Sequence, residues 1–413
     1  MYGRGLTVQI GRPPTIPRSE YRLRRVRAAV AARERGLDGL LVWSMGGSTL
    51  DSFGDVFYLT NHYCTETKAP DVTPHWSGFG HAAVLLTSDG AATLLVGPPN
   101  WRDDLVTVDE VLSDRDLYGL VERCLRDKGL SSSRLGLSRE QLVPLPLYSR
   151  LRDAFPKLRL ERADDILEEM REVKSEAEIV LMRHAQNVSV QIMDAMFSEI
   201  REGITDADLA SVGFAVASRL GATPYEFAMA SGPYSDHAYY PRLPAFDPWR
   251  LYERGDIIHP DVYGCVDGYF YDFVRCTVVG GDPTEAQREV LEGAIACVHH
   301  VCDQLRPGVR ACDVHAAAVE WKREHNWGLP PVSLSAKATD FSTFDAFGHG
   351  IGLGWEGPWI VPGDETVLQP GMTIAIETYV TREGGGTALY EETVLVTENG
   401  PEIMTGDCPA RWW

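Results

Sequence analysis

No stretch of the 413-residue chain approaches the roughly 18 consecutive apolar residues that a membrane-spanning helix needs. The first 25 residues are rich in Gly, Pro and Arg and hold no apolar core of about 7–15 residues, so no secretory signal is expected. Basic residues are few beside the acids: 39 Lys plus Arg against 59 Asp plus Glu, a net charge of −20. That excess repels phosphate backbones and anionic lipid, so neither nucleic acid nor a membrane surface is an expected partner. No Gly-x-Ser-x-Gly occurs, which argues against a serine hydrolase of the nucleophile-elbow kind. A disorder-prone composition is also missing. Hydrophobic residues make up 44% and charged residues 24%, as in globular chains, and the length fits two or three domains.

The eight cysteines sit in a long chain without a signal, so they are expected as free thiols in a reducing cytoplasm. Cys297 and Cys302 flank two histidines but lie five residues apart, about 140° round a helix. They cannot easily share a metal and read as helix packing.

The first part of the chain alternates β and α signals. A helix over 20–36 carries Leu23, Val26 and Val30 on one apolar face, and its arginines (22, 24, 25, 27, 33, 35) read as a solvated face. Residues 39–43 form a short buried strand, and 82–86 and 92–96 a hairpin turning at Asp89-Gly90. A helix near 115–128 and a strand at 134–137 follow. After about 165 the character changes. Ser175-Glu-Ala-Glu178, Thr205-Asp-Ala-Asp208 and Thr284-Glu-Ala-Gln287 each read as a helix start with its cap, and a fourth helix runs from about 313 to 325. The segment Gly203–Leu209 recurs at Gly308–Val314, an offset of 105. Each copy lies between two helices that precede strands bearing acids. Two half-domains are therefore expected, with a site drawing on both.

Five residues stand out on those strands: Asp261 and Asp272, 11 apart, then His349 in Gly348-His-Gly-Ile-Gly352, Glu377 at the end of an apolar run, and Glu391, 14 further on. Buried carboxylates ask for counter-charge. Four carboxylates and one imidazole suit Mn, Fe, Co or Zn, and balance two divalent ions. Taken singly, each acid reads better as an exposed strand-end residue beside a Lys or Arg.

Taken together and in this order, the five resemble the metal ligands of the pita-bread metallohydrolases: Xaa-Pro aminopeptidase, prolidase, methionine aminopeptidase and the related creatinase. Arg171–Ile179 resembles that family's linker into its catalytic domain, and Leu368–Met372 the turn before its first Glu. The resemblance implies an α+β, two-domain fold. A small α/β, creatinase-like N-terminal domain (1–165) precedes a pita-bread domain (166–413) with a curved antiparallel sheet flanked by helices. It implies a metal-dependent hydrolase that cleaves a C–N bond through a hydroxide bridging two metal ions. Asp261, Asp272, His349, Glu377 and Glu391 would be the ligands, Asp272 bridging and Glu377 the general acid/base. It also implies a homodimer. Ser231–His237 resembles the segment that brings an active-site His to the family, so His237 is expected at the substrate.

Three departures fall around the substrate. Most Xaa-Pro peptidases carry a second His seven residues after the metal His, where this chain has Glu356. Thr378 stands where Pro is usual, and Leu389 where Arg is usual. An acid near 356 and no Pro after the first Glu also occur in the family's dimethylsulfoniopropionate lyases, but those carry an additional Asp where this chain has Tyr263. Trp355, Glu356 and Tyr239 are expected to line the substrate pocket, Glu356 pairing with a substrate cation. Its bland alternative is a loop residue turned to solvent. The readings are thus a Xaa-Pro peptidase, a creatinase-like amidinohydrolase or lyase on the same scaffold, and, against the retention of all five ligands, a non-catalytic binding protein.

Overall fold

The computed structural model describes residues 15–47, 52–73, 75–97, 100–235, 243–327 and 346–413. They form two compact units, 15–171 and 172–413. No helix among them is long and apolar enough to cross a membrane.

The N-terminal unit runs α1 (Arg18–Glu34), β1 (Gly39–Met45), α2 (Gly54–Thr60), β2 (His81–Thr87), β3 (Ala92–Val96), β4 (Glu110–Ser113), α3 (Leu117–Asp127), β5 (Arg134–Ser138), α4 (Leu145–Ala154), β6 (Arg159–Arg162) and α5 (Asp164–Glu172). Its mixed sheet has the order β4-β3-β2-β1-β5-β6. The central strands are apolar without alternation because both faces are covered. Leu41, Trp43, Leu85 and Leu95 pack with α3 and α4, while Leu40, Val42, Val84 and Leu94 are fully buried on the other face. At α2, Asp55 is wholly buried between Arg171 Nη1 (2.6 Å) and Arg139 Nε (3.2 Å). Burial raises its pKa, but the two guanidinium groups outweigh that and hold the carboxyl below its ordinary value.

Helix α1 corrects the sequence reading. Leu23, Val26 and Val30 are exposed, at 56%, 43% and 37%, whereas Arg24 and Arg25 are buried. The reason is polar: Arg24 Nη1 donates to the Tyr58 carbonyl and its guanidinium lies over the Tyr58 ring. Arg25 Nη1 donates to the carbonyls of Leu59 and Thr107. These arginines satisfy carbonyls at the end of α2 and at Thr107 that the fold withdraws from water.

The second unit contains α6 (Glu176–Phe197), α7 (Asp206–Arg219), β7 (Thr223–Ser231), β8 (Ile257–Val266), β9 (Tyr269–Val274) and β10 (Thr277–Val278). It continues with α8 (Glu285–Cys302), α9 (Ala311–Glu324), β11 (Gly348–Ile351), β12 (Trp355–Trp359), β13 (Thr373–Arg382), β14 (Gly386–Thr397) and β15 (Gly400–Ile403). Capping boxes are formed by Ser175/Glu178, Thr205/Asp208 and Thr284/Gln287, so α6, α7 and α8 start where local chemistry satisfies their first N–H groups. Two helices followed by antiparallel strands occur twice, each set with its own hydrophobic core. All eight cysteines are free, and Cys297 and Cys302 pack inside the second core.

Strand alternation decides what faces the helices. On β13 and β14, Ile374, Ile376, Val380, Ala388 and Val394 belong to the core with α8, so Glu377 and Glu391 point the other way. On β8 and β9, Ile258, Val262, Tyr271 and Phe273 pack with α6 and α7, so Asp261 and Asp272 also point away from the helices.

Candidate metal centre

The register brings the five side chains together. Asp261 lies opposite Val274 and Asp272 opposite Tyr263, which puts the two aspartates on one face as diagonal neighbours. Glu377 is directly opposite Glu391. His349 is opposite Ala375, two residues from Glu377, and so shares its face. Carboxylate oxygens of Asp261, Asp272 and Glu391 lie within 4.8 Å of one another. His349 Nε2 is 3.7 Å from Asp272 Oδ2.

The cluster carries an electrostatic load. Asp272 and Glu391 are held far above the ordinary carboxylate range, first by burial and then by the neighbouring acids. Burial and Asp261 push Glu377 up to about 8. Burial takes His349 down to about 4, so its imidazole is neutral. Its Nδ1 is 3.0 Å from the Gly350 carbonyl, which can only accept, so Nδ1 carries the proton and Nε2 keeps a lone pair. Buried Nε2 of His349 and Oε1 of Glu391 have no hydrogen-bond partner among the described residues. A divalent ion answers all of these features: it takes the lone pairs and neutralises the acids. The residues therefore fit a metal centre. Of the four acids, Glu377 alone is partly accessible, while Asp261, Asp272 and Glu391 are 4%, 5% and 1% exposed.

Around the cluster the structure adds residues that spacing could not reveal. Trp355 Nε1 donates to Asp272 Oδ2 at 2.8 Å, and its ring centroid is 5.0 Å from that of His349. Trp355, expected at the substrate, thus holds the Asp272 carboxylate. Arg275 is fully buried; it donates to the Glu391 carbonyl and pairs with Glu392 at 2.8 Å. Glu356 corrects both sequence alternatives. It is buried on β12, and its Oε1 is 2.6 Å from Lys174 Nζ. A cation of the chain stands where a substrate cation was expected, because the linker into α6 brings Lys174 beside β12. His237 and Tyr239 lie outside the described residues.

Comparison with known proteins agrees in both units. Residues 180–398 match metallopeptidase family M24, and residues 22–173 match the creatinase/prolidase N-terminal domain. The chain is 31% identical over 250 residues to a Xaa-Pro dipeptidase from Pyrococcus furiosus, covering 59% of this chain and 66% of that one. It is 27% identical over 350 residues to a creatinase from a Bacillus species, covering 78% and 80%. The crystal structure of the prolidase from Pyrococcus horikoshii superposes with a TM-score of 0.75 over 93% of this chain and 98% of that one, at 22% identity. With a family match spanning more than half its length, the chain belongs to metallopeptidase family M24.

Proposed function

We propose that the protein is a dinuclear-metal peptidase that cleaves the C–N bond of Xaa-Pro dipeptides or similarly small peptides. One observation carries this reading: four carboxylates and a neutral imidazole converge on one inner face, with buried lone pairs left open at His349 and Glu391. Dipeptidase relatives support it. Asp261, Asp272, His349, Glu377 and Glu391 would hold two divalent ions, of Mn, Fe, Co or Zn. When bound, such ions supply Lewis acidity and lower the pKa of water. The chain's own residues do the rest. Asp272, fixed by Trp355, sits centrally among the acids. Glu377, the partly accessible acid, takes and returns the proton. His237 holds the substrate. We assign the protein to the cytoplasm as a homodimer.

A creatinase-like amidinohydrolase is the second reading. It is favoured by Glu356, Thr378 and Leu389 at positions where Xaa-Pro peptidases have His, Pro and Arg, and by the long creatinase match. One experiment separates the two: metal analysis of protein loaded in turn with Mn, Fe, Co and Zn, followed by turnover of Xaa-Pro dipeptides, creatine and dimethylsulfoniopropionate. Two ions per chain with dipeptide cleavage is the expected result. Creatine turnover, or turnover independent of metal, would replace it with the second reading.

A further inference from the structure

Glu226, Tyr263 and Asp272 stand directly opposite one another on β7, β8 and β9, in one row across the sheet. Asp272 is a proposed ligand, so alternation places Glu226 and Tyr263 on the metal-ligand face as well. The Tyr263 hydroxyl donates to Glu226 Oε2 at 3.0 Å, and the phenol feels the charges of Asp261, Glu226 and Asp272. Both side chains are half-buried. Glu226 forms no ion pair among the described residues, whereas the buried acids Asp55, Glu356 and Glu392 each have a cation.

Charge counting makes that carboxylate significant. Four ligand carboxylates balance two divalent ions, and Lys174 balances Glu356. Among the described residues Glu226 is left without a compensating cation on the face of the proposed ligands, with an aromatic ring between it and them. From the proposed peptidase reading, on which this step rests, we infer that Glu226 and Tyr263 form a subsite for a cationic side chain on the residue preceding the scissile bond, lysine or arginine.

Distance selects the side chain over the α-amino group. Glu226 and Asp261 are diagonal neighbours on adjacent strands, Cα atoms about 7–8 Å apart. The α-nitrogen of a dipeptide is two bonds from the scissile carbonyl and must stay beside the ligands. A lysine ammonium reaches about 6 Å further. Its methylene stem then lies along the Tyr263 ring and its charge meets Glu226, combining cation–π contact with a charge-assisted hydrogen bond.

The test compares Lys-Pro with norleucine-Pro, which has the same stem without the charge, on metal-loaded protein. Wild type should favour Lys-Pro in kcat/KM by about tenfold, the scale of one charge-assisted hydrogen bond. In Glu226→Gln that ratio should fall towards one with metal content still at two. Tyr263→Phe should lower it in part. Equal turnover of the two dipeptides by wild type, or a preference that survives Glu226→Gln, would overturn the subsite. An Nε-acetyl-Lys-Pro arm locates the charge that is read: it should be turned over like norleucine-Pro, and a preference that survives Nε-acetylation would mean that the side-chain charge is not what Glu226 reads and the assignment fails. If no dipeptide is cleaved, the peptidase reading fails. The subsite is then judged by calorimetry of lysine against norleucine, where tighter lysine binding lost in Glu226→Gln upholds it and equal binding sinks it.

Discussion

Lys174 Nζ lies 2.6 Å from Glu356 Oε1, with both side chains nearly sealed from solvent. Gly352 makes room for the pair: a Cβ there would come within 2.2 Å of Glu356 Oε1 and 2.9 Å of Lys174 Cε. One glycine of the Gly-His-Gly-Ile-Gly motif is thus explained by an ion pair and not by the metal. Removing one partner strands a buried charge, which costs about 3–5 kcal/mol. Glu356→Gln should therefore lower the melting temperature markedly, and Lys174→Met with Glu356→Leu should recover much of the loss. A Glu356→Gln protein that melts like wild type would show that the pair does not hold this region together.

Metal should stabilise the fold as well as activate it. In the metal-free protein Asp272, Glu377 and Glu391 repel one another inside the same face. Each ion at a hundredfold excess over its Kd adds about 2.7 kcal/mol. Thermal scans should rise with added Mn or Co. Asp272→Asn should melt higher than wild type without metal, because one repelling charge is gone, and gain less when metal is added. Identical metal-induced shifts in the two proteins would remove Asp272 from the ligand set.

Arg275 joins the two half-domains behind the proposed ligands. It follows Asp272 by three residues, donates to the backbone carbonyl of Glu391, and pairs with Glu392 while lying over the rings of Phe273 and Tyr390. Lysine keeps the charge but not the planar fork. Arg275→Lys should leave a folded protein whose metal affinity, measured against a competing chelator, is weaker by about 10–100-fold. Unchanged affinity would make Arg275 a core residue with no bearing on the centre.

What was legible in the sequence follows physical locality. The starts of α6, α7 and α8 were readable because a capping box is closed within four residues. The grouping of the five proposed ligands was readable because their order and spacing match a family, and strand alternation then places them on one face. Features made by distant contacts were not readable. Hydropathy put Leu23, Val26 and Val30 inward, yet Arg24 and Arg25 are buried because carbonyls of residues 58, 59 and 107 need donors. Lys174 could not be seen as the partner of Glu356, nor Trp355 as a donor to Asp272, since both contacts cross the chain. The Glu226–Tyr263 row depends on a bulge between Pro224 and Glu226 that shifts the register by one, and no local pattern marks it.

The N-terminal unit carries its own pH dependence. Trp43 Nε1 donates to His81 Nδ1 at 3.0 Å, and an indole nitrogen can only donate, so this nitrogen of His81 must be unprotonated. The ring is buried, and burial takes its pKa down to about 4. Because the folded pKa lies below the unfolded value of about 6.5, the unfolded chain binds the proton first as pH falls. The stability contributed by neutral His81 is complete above about pH 6.5 and is lost as pH drops towards 4, by up to about 3 kcal/mol. His81→Asn keeps an acceptor for Trp43 without a titrating group. Urea unfolding between pH 7 and 4.5 should therefore show a shallower loss of stability in His81→Asn than in wild type, by close to one proton. Equal slopes, or a His81 resonance titrating near 6.5 in the folded protein, would contradict it.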